Sequence, residues 1–226
     1  MSTASVSISR DGQRGSWLRA KYVLFLLVGA MLAYVVGHNE RFLIDARDPE
    51  WLHIQPFKWW LLPHGLTAAC ALLLGPMQFS DRLRRRFAKL HRVAGRFYVA
   101  GVLVGAPLGF YVQYIQEPAG ASRSFTAAAV VQTATWILTT LIAFAYILKG
   151  NVQQHRVWMT RSFAVALVFL EVRVILGVTG WETRGPAMVE SVVWFCNTMS
   201  IFLADIVLQF QEPGRTRAVK SRAAEA

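Results

Sequence analysis

Long apolar runs recur along the chain and alternate with short polar segments rich in Lys and Arg. Each run approaches the roughly 20 residues that an α-helix needs to cross about 30 Å of hydrocarbon. The second, third and fourth runs contain no Asp, Glu, Lys or Arg. The pattern therefore predicts an all-α, polytopic transmembrane helix bundle with six spans. The runs are residues 20–38, 59–79, 97–115, 125–148, 162–180 and 189–210.

Composition and charge support this prediction and orient the bundle. Hydrophobic residues make up 54% of the chain and charged residues only 16%, which is typical of a protein in a bilayer. The net charge of +11 would suit nucleic acid, but the basic residues collect in alternate connecting segments. With the N-terminus inside, 18 of the 24 Lys and Arg residues lie in cytoplasmic segments. The positive-inside rule therefore predicts N-in and C-in, and nucleic acid is not an expected partner.

The chain divides into a membrane domain and two polar tails. We predict a cytoplasmic tail over residues 1–19, a six-span transmembrane domain over 20–210 and a basic cytoplasmic tail over 211–226. The first run has no small-x-small cleavage site at its end, which favours a signal anchor over a removable signal peptide. The lipid bilayer is the expected partner of the domain.

Two histidines begin apolar spans in similar surroundings. His91 and His155 are each followed directly by Arg and Val, an echo that either reflects internal duplication or arises by chance in basic juxtamembrane sequence. At helical spacing the His91 face continues through Gly95 and Tyr98, and the His155 face through Ser162. A bis-histidine haem needs two imidazoles at matching depth on different helices, with cations near its propionates. His91 and His155 are thus candidate ligands of haem iron; the alternative is that His and Arg here only anchor to lipid headgroups. The candidate propionate partners are Arg92, Arg96, Arg156 and Arg161.

A ladder of glycines runs along the third span. Gly101, Gly105 and Gly109 are four residues apart, a spacing whose common meaning in a bilayer is close contact between helices. The alternative is that the missing side chains leave room for a flat ring such as a porphyrin.

Several polar residues lie inside the predicted spans, where they are costly and usually paired. His64 is the deepest histidine, and we expect either a hydrogen bond to a carbonyl or acidic residue, or a role as haem ligand or proton relay. Arg173 is expected to pair with Asp205 or Glu190, with Glu171 on nearly the opposite face. A haem-free ligand site or polar network would use Arg173, Glu171, Asp205 and Gln78.

These motifs resemble a family of bacterial predicted membrane proteins called domain of unknown function 2306, over roughly residues 60–175. The resemblance implies a membrane fold and a location in the bacterial cytoplasmic (inner) membrane, and it implies no established activity. The matching pieces are His64-Gly65, Gly75-Pro76-Met77-Gln78-Phe79, Leu90-His91-Arg92, Gly95-Arg96, Tyr98, His155-Arg156-Val157-Trp158-Met159, Arg161 and Arg173.

A weaker similarity, on the His-Arg-x-x-Gly stretch from His91 to Gly95, is to cytochrome b561-like haem proteins. It implies a four-histidine bundle with two haems. The chain departs from that pattern, because only His64 lies well inside a span and its partner would have to be His38.

Three functions follow as hypotheses. The first is a membrane redox protein that binds haem b and exchanges electrons with a redox partner or quinone. The second is a haem-free transporter or ligand-binding bundle, and the third is a membrane scaffold held by the glycine ladder. The sequence carries no hydrolase triad, phosphate-binding glycine loop or metalloprotease spacing, which disfavours the chemistry of soluble enzymes.

Overall fold

The computed structural model describes residues 10–45, 47–116 and 122–211, and helices make up most of them. Within these ranges there is no β-strand. Short 3₁₀ turns precede α2 and α8, and a π-helical turn, Val112–Gln116, extends α5. The α-helices are α1 (Arg10–His38), α2 (Glu50–Ile54), α3 (Lys58–Gln78), α4 (Asp81–Arg86), α5 (Ala88–Tyr111), α6 (Arg123–Leu148), α7 (Val152–Thr179) and α8 (Pro186–Gln211).

Five of these helices, α3 and α5 to α8, are long and apolar enough to cross a membrane. They correspond to the second through sixth predicted spans, which are confirmed by length and composition. The apolar part of α1, Tyr22–His38, is shorter than a full span. The first predicted span, and with it the total of six and the N-in, C-in orientation, therefore stay predictions.

Side-chain caps begin α6 and α7, and a glycine ends α7. Ser122 accepts a hydrogen bond from the Phe125 amide at 3.1 Å and begins α6, and Asn151 accepts one from the Gln154 amide at 3.1 Å and begins α7. Gly180 ends α7 with φ +67°, a left-handed conformation that glycine adopts without strain. The cap at Asn151, and not the edge of the apolar run at 162, marks where α7 begins, at Val152. α5 also starts before its apolar run at 97, at Ala88, but without a side-chain cap.

The glycine ladder of α5 packs directly against α3. A Cβ added to Gly101 would lie 2.8 Å from the Thr67 carbonyl oxygen, and one added to Gly105 would lie 2.8 Å from Thr67 Oγ1. A Cβ on Gly109 would meet the His64 ring at 2.6 Å. The ladder thus serves helix contact, as its common meaning predicts. The room that a flat ring would need over these glycines is filled by α3.

Four helices, α3, α5, α6 and α7, form the centre of the bundle. α3 packs on α5, α5 on α6, α6 on α7 and α7 on α3, while α1 and α8 pack against α7 from outside. α5 and α7 face each other across this arrangement, and the largest fully buried side chain between them is Tyr98. A smaller apolar cluster of Phe42, Ile54, Phe57 and Val112 closes the end formed by α2 and the end of α5.

Candidate functional site

The candidate site, here called the inner cluster, lies where α5 and α7 begin and consists of His91, His155 and Gln78. His91 is in the first turn of α5, and His155 is in the first turn of α7. Both side chains are half-buried, and the two rings lie within electrostatic range of each other. The fold thus brings together the two histidines that the sequence singled out.

The His155 ring is fixed by a hydrogen bond to the backbone. Its Nδ1 lies 2.9 Å from the Ala143 carbonyl oxygen of α6. Because a carbonyl oxygen only accepts, Nδ1 must carry the proton and donate it. In the neutral ring this leaves a lone pair on Nε2. Histidines that bind metal ions usually have their other ring nitrogen held in this way.

His91 and Gln78 bury polar atoms that have no protein partner. His91 Nδ1 and Gln78 Nε2 are both buried without a hydrogen bond among the described residues. Gln78 ends α3, and its Oε1 lies 3.3 Å from where a Cβ on Gly95 would stand, one helical turn beyond His91. Buried polar groups without partners are costly and rare. The two orphaned atoms make the inner cluster a candidate ligand site.

The arginines around the inner cluster differ in exposure and in their contacts with other side chains. Arg92, Arg96 and Arg156 are exposed at the start of α5 and α7. Arg161 is less free to bind a ligand, because its Nε donates to Asp205 Oδ1 at 2.8 Å and its guanidinium lies over the Trp158 ring. Arg84 of α4 acts electrostatically on His91, which sequence reasoning missed because it considered only the residues that follow each histidine.

A directed hydrogen-bond chain crosses the bundle directly below the inner cluster. The Tyr98 hydroxyl lies 2.8 Å from Ser162 Oγ, Ser162 Oγ lies 2.7 Å from Thr140 Oγ1, and Thr140 Oγ1 donates to the Trp136 carbonyl oxygen at 2.7 Å. Since the Thr140 proton goes to a carbonyl, Ser162 must donate to Thr140 and Tyr98 to Ser162. The Trp136 indole approaches the same tyrosine hydroxyl without forming a hydrogen bond of standard geometry. These hydrogen bonds link α5, α7 and α6 at one depth in the bundle.

A metal ion without a porphyrin finds no ready site in the described residues. No three His, Cys, Asp or Glu side chains gather there around one point. A bare divalent ion usually needs at least three protein ligands, whereas haem iron needs only one or two.

Comparison with known proteins places the chain in a family. The profile of the family described as "Predicted membrane protein (DUF2306)" matches residues 61–208. The chain belongs to this DUF2306 family. No curated protein and no solved structure matches it significantly. The weaker similarity to cytochrome b561-like proteins has no counterpart among these matches.

The region matched by DUF2306 runs from α3 to the last turns of α8 and contains the whole inner cluster. α1 lies outside it. The family description names a membrane protein and no activity. The matched region thus agrees with the five confirmed spans, and the function has to be argued from the side chains.

The opposite end of this DUF2306 chain holds a second polar group, here called the outer cluster: His64, Glu40, Arg173, His38 and Glu182. His64 Nδ1 donates to the Gly105 carbonyl oxygen at 2.7 Å, which confirms the carbonyl hydrogen bond expected as one alternative. Glu40, which follows α1, lies within electrostatic range of His64. Two members, Glu40 and His38, come from outside the region that the family matches.

The predicted partners of Arg173 were wrong. Arg173 Nη2 lies 3.7 Å from Glu40 Oε1, whereas Asp205 binds Arg161 and Glu190 accepts from the Ser122 hydroxyl at 2.5 Å. Arg161 and Arg173 are about 18 Å apart along α7, so Asp205 cannot serve both. Sequence reasoning searched only the spans for a partner. Glu40 lies outside them, after α1, and comes next to Arg173 because α1 packs on α7.

The four polar residues of the ligand-site hypothesis do not meet at one point. Asp205 lies with Arg161, and Glu171 lies near Cys196 of α8. His38 is engaged by its own neighbours, since its ring stacks on Tyr34 and its Nε2 lies 3.6 Å from Glu182 Oε1. Gln78, the remaining member of the predicted network, belongs to the inner cluster.

Proposed function

We propose that this DUF2306 protein is a six-span, N-in protein of the bacterial cytoplasmic membrane that binds haem b at the inner cluster and transfers electrons. The observation that carries the proposal is the pair of histidines, His91 and His155, which begin α5 and α7 within electrostatic range of each other. Buried polar atoms of His91 and Gln78 there lack a protein partner. Cofactor sites in helix bundles are built in this way, from side chains on facing helices.

The residues that follow His91 on α5 are small. Ala94 and Gly95 lie in the next turn, where the Gln78 side chain of α3 approaches Gly95, and Tyr98 lies two turns deeper. The His155 tautomer, fixed by Ala143, leaves Nε2 to bind iron. His91 would be the second ligand. Its buried Nδ1 would then carry a proton and need an acceptor, and the orphaned Gln78 Nε2, which is itself a donor, cannot supply one.

The surrounding charge suits the carboxylates of a haem. Arg92, Arg96 and Arg156 are exposed beside the histidines and would hold the propionates, and Arg84 adds to the local positive charge. Arg161 would contribute less, because Asp205 already binds it. When bound, a b-type haem supplies an iron that changes by one electron between ferrous and ferric states. The electron donor or acceptor would be a redox partner or quinone.

The test is the reduced-minus-oxidised absorption spectrum of the purified full chain, expressed with haem available and titrated with haem afterwards. We expect a b-type α-band in the parent and loss of that band in His91→Ala and His155→Ala. His53→Ala is the matched control, because His53 contacts the Phe57 ring edge-on, away from the first turns of α5 and α7, and should leave the band unchanged.

Two outcomes would overturn the proposal. One is a parent protein that shows no b-type band even after haem is added. The other is a band that survives both His91→Ala and His155→Ala at full intensity. Size-exclusion profiles of the variants show whether a lost band reflects misfolding, and recovery of the band with added imidazole shows that only a ligand was removed.

A further inference from the structure

An apolar groove of about 390 Å³ opens between α1 and α3, on the side of α3 away from the inner cluster. Its walls are apolar side chains, and it ends at Ser80 and Leu83, where α4 begins. The walls include Phe25, Gly29 and Leu32 of α1 and Leu72, Leu73 and Met77 of α3. Its apolar length suits a hydrocarbon chain.

The side of the groove formed by α1 has no side chain at Gly29. A Cβ placed on this residue would meet nothing within 4 Å, so the groove has free space at this point. Leu73 and Met77 across the groove are exposed. Contact with bulk lipid accounts for exposed apolar side chains in general, but a recess beside a glycine holds one chain in place.

The end of the groove adjoins a dense basic segment. α4 has the sequence Asp81-Arg82-Leu83-Arg84-Arg85-Arg86, in which Leu83 contributes to the groove and Arg82, Arg85 and Arg86 are exposed. A recess for a hydrocarbon chain beside several cations complements an amphiphile with a negative headgroup. Basic sites between membrane helices bind anionic lipids for this reason.

We infer that the groove between α1 and α3 binds an anionic phospholipid, with an acyl chain along Gly29 and Leu73 and the phosphate at the α4 arginines. This site is separate from the inner cluster and does not depend on haem. Its specificity comes from α4: a zwitterionic lipid fills the groove equally well but gains less from the arginines.

The experiment measures lipid retained by the full chain in native mass spectrometry, after extraction into detergent with equal amounts of phosphatidylglycerol and phosphatidylcholine. We expect retained phosphatidylglycerol to exceed phosphatidylcholine on the order of tenfold. Arg82→Gln with Arg85→Gln should remove most of that preference. The charge-matched control is Arg123→Gln with Arg184→Gln, two exposed arginines at the other end of the bundle, which should keep it.

A second pair of variants tests the groove itself. Gly29→Phe fills the recess and should lower the amount of every retained phospholipid. Gly37→Phe is the control, since Gly37 is also on α1 with open space around it but does not line the groove. Equal retention of both lipids by the parent would overturn the inference. So would a Gly29→Phe variant that keeps its lipid, or one that instead changes the oligomeric state, because the groove would then be a protein interface.

Discussion

The inner and outer clusters each contain two histidines, yet their surroundings differ in charge. At the outer cluster Arg173 lies against Glu40 and His38 against Glu182, so carboxylates accompany the cationic side chains. At the inner cluster the neighbours of the histidines are arginines and a glutamine, and the nearest described ion pair, Arg161 with Asp205, lies deeper on α7. Among the described side chains, carboxylates lie beside the cations of the outer cluster, and arginines lie beside the histidines of the inner cluster.

This difference separates structural histidines from candidate ligands better than depth in the membrane does. His64 is deep, but its ring covers Gly109 and donates to Gly105, so it serves the contact between α3 and α5. His91 is shallower, and its buried Nδ1 lacks a partner among the described residues. The haem proposed at the inner cluster would bring carboxylates and iron to these arginines and histidines.

The largest expected effect compares one histidine from each cluster. His91→Ala should abolish the b-type absorption band, because it removes a ligand to iron. His64→Ala should retain most of the band per folded molecule, although the lost packing will lower stability. Spectra of both purified variants, normalised to the monodisperse fraction, test the contrast. Loss of the band in His64→Ala alone would move the haem to the outer cluster.

Much of this contrast could be predicted from sequence, and the missing part has a physical cause. Apolar run length fixes five spans, and helical spacing places His91, Gly95 and Tyr98 on one face, because both are local properties of a helix. The partner of Arg173 could not be predicted in this way. It depends on how α1 and α7 pack, which no local pattern encodes. The contact of Gln78 with Gly95 depends in the same way on how α3 and α5 pack.

The next largest effect concerns the contact between α3 and α5 that supports both clusters. Gly101→Ala places a Cβ 2.8 Å from the Thr67 carbonyl oxygen, and backbone cannot move aside as a side chain can. We expect a loss of about 1–3 kcal/mol in the free energy of unfolding. Gly65→Ala on α3 is the control, because nothing lies within 4 Å of its added Cβ. Unfolding in detergent by sodium dodecyl sulfate measures both, and equal stabilities would mean that the two helices pack less closely than described.

A smaller effect should follow from breaking the hydrogen-bond chain below the inner cluster. Thr140→Val removes the acceptor to which Ser162 donates, and we expect a loss of about 1 kcal/mol in the free energy of unfolding. Thr139→Val is a close control: Thr139 is also buried and bonds backbone carbonyls of its own helix, but it takes no part in the chain. The difference between the two variants in the same unfolding assay isolates the contact with α7. If Thr139→Val costs as much, the chain adds nothing beyond local bonding.

The smallest effect is expected at the outer cluster, where it tests whether the pair of Arg173 and Glu40 contributes as little to stability as a partly exposed ion pair usually does. Glu40→Gln removes the carboxylate beside Arg173, but the 3.7 Å separation is too long for a hydrogen bond, and the guanidinium keeps its place over the Phe169 ring. A partly exposed pair of this kind contributes about 0.2–1 kcal/mol. Glu50→Gln, at an exposed position on α2, provides the baseline in the unfolding assay. A loss of several kcal/mol for Glu40→Gln would mean that Arg173 is stranded as an unpaired charge, because only an uncompensated buried cation costs that much. The outer cluster would then depend on the Glu40 carboxylate as strongly as we expect the inner cluster to depend on the haem propionates. Only the surroundings of the histidines would still distinguish the two clusters.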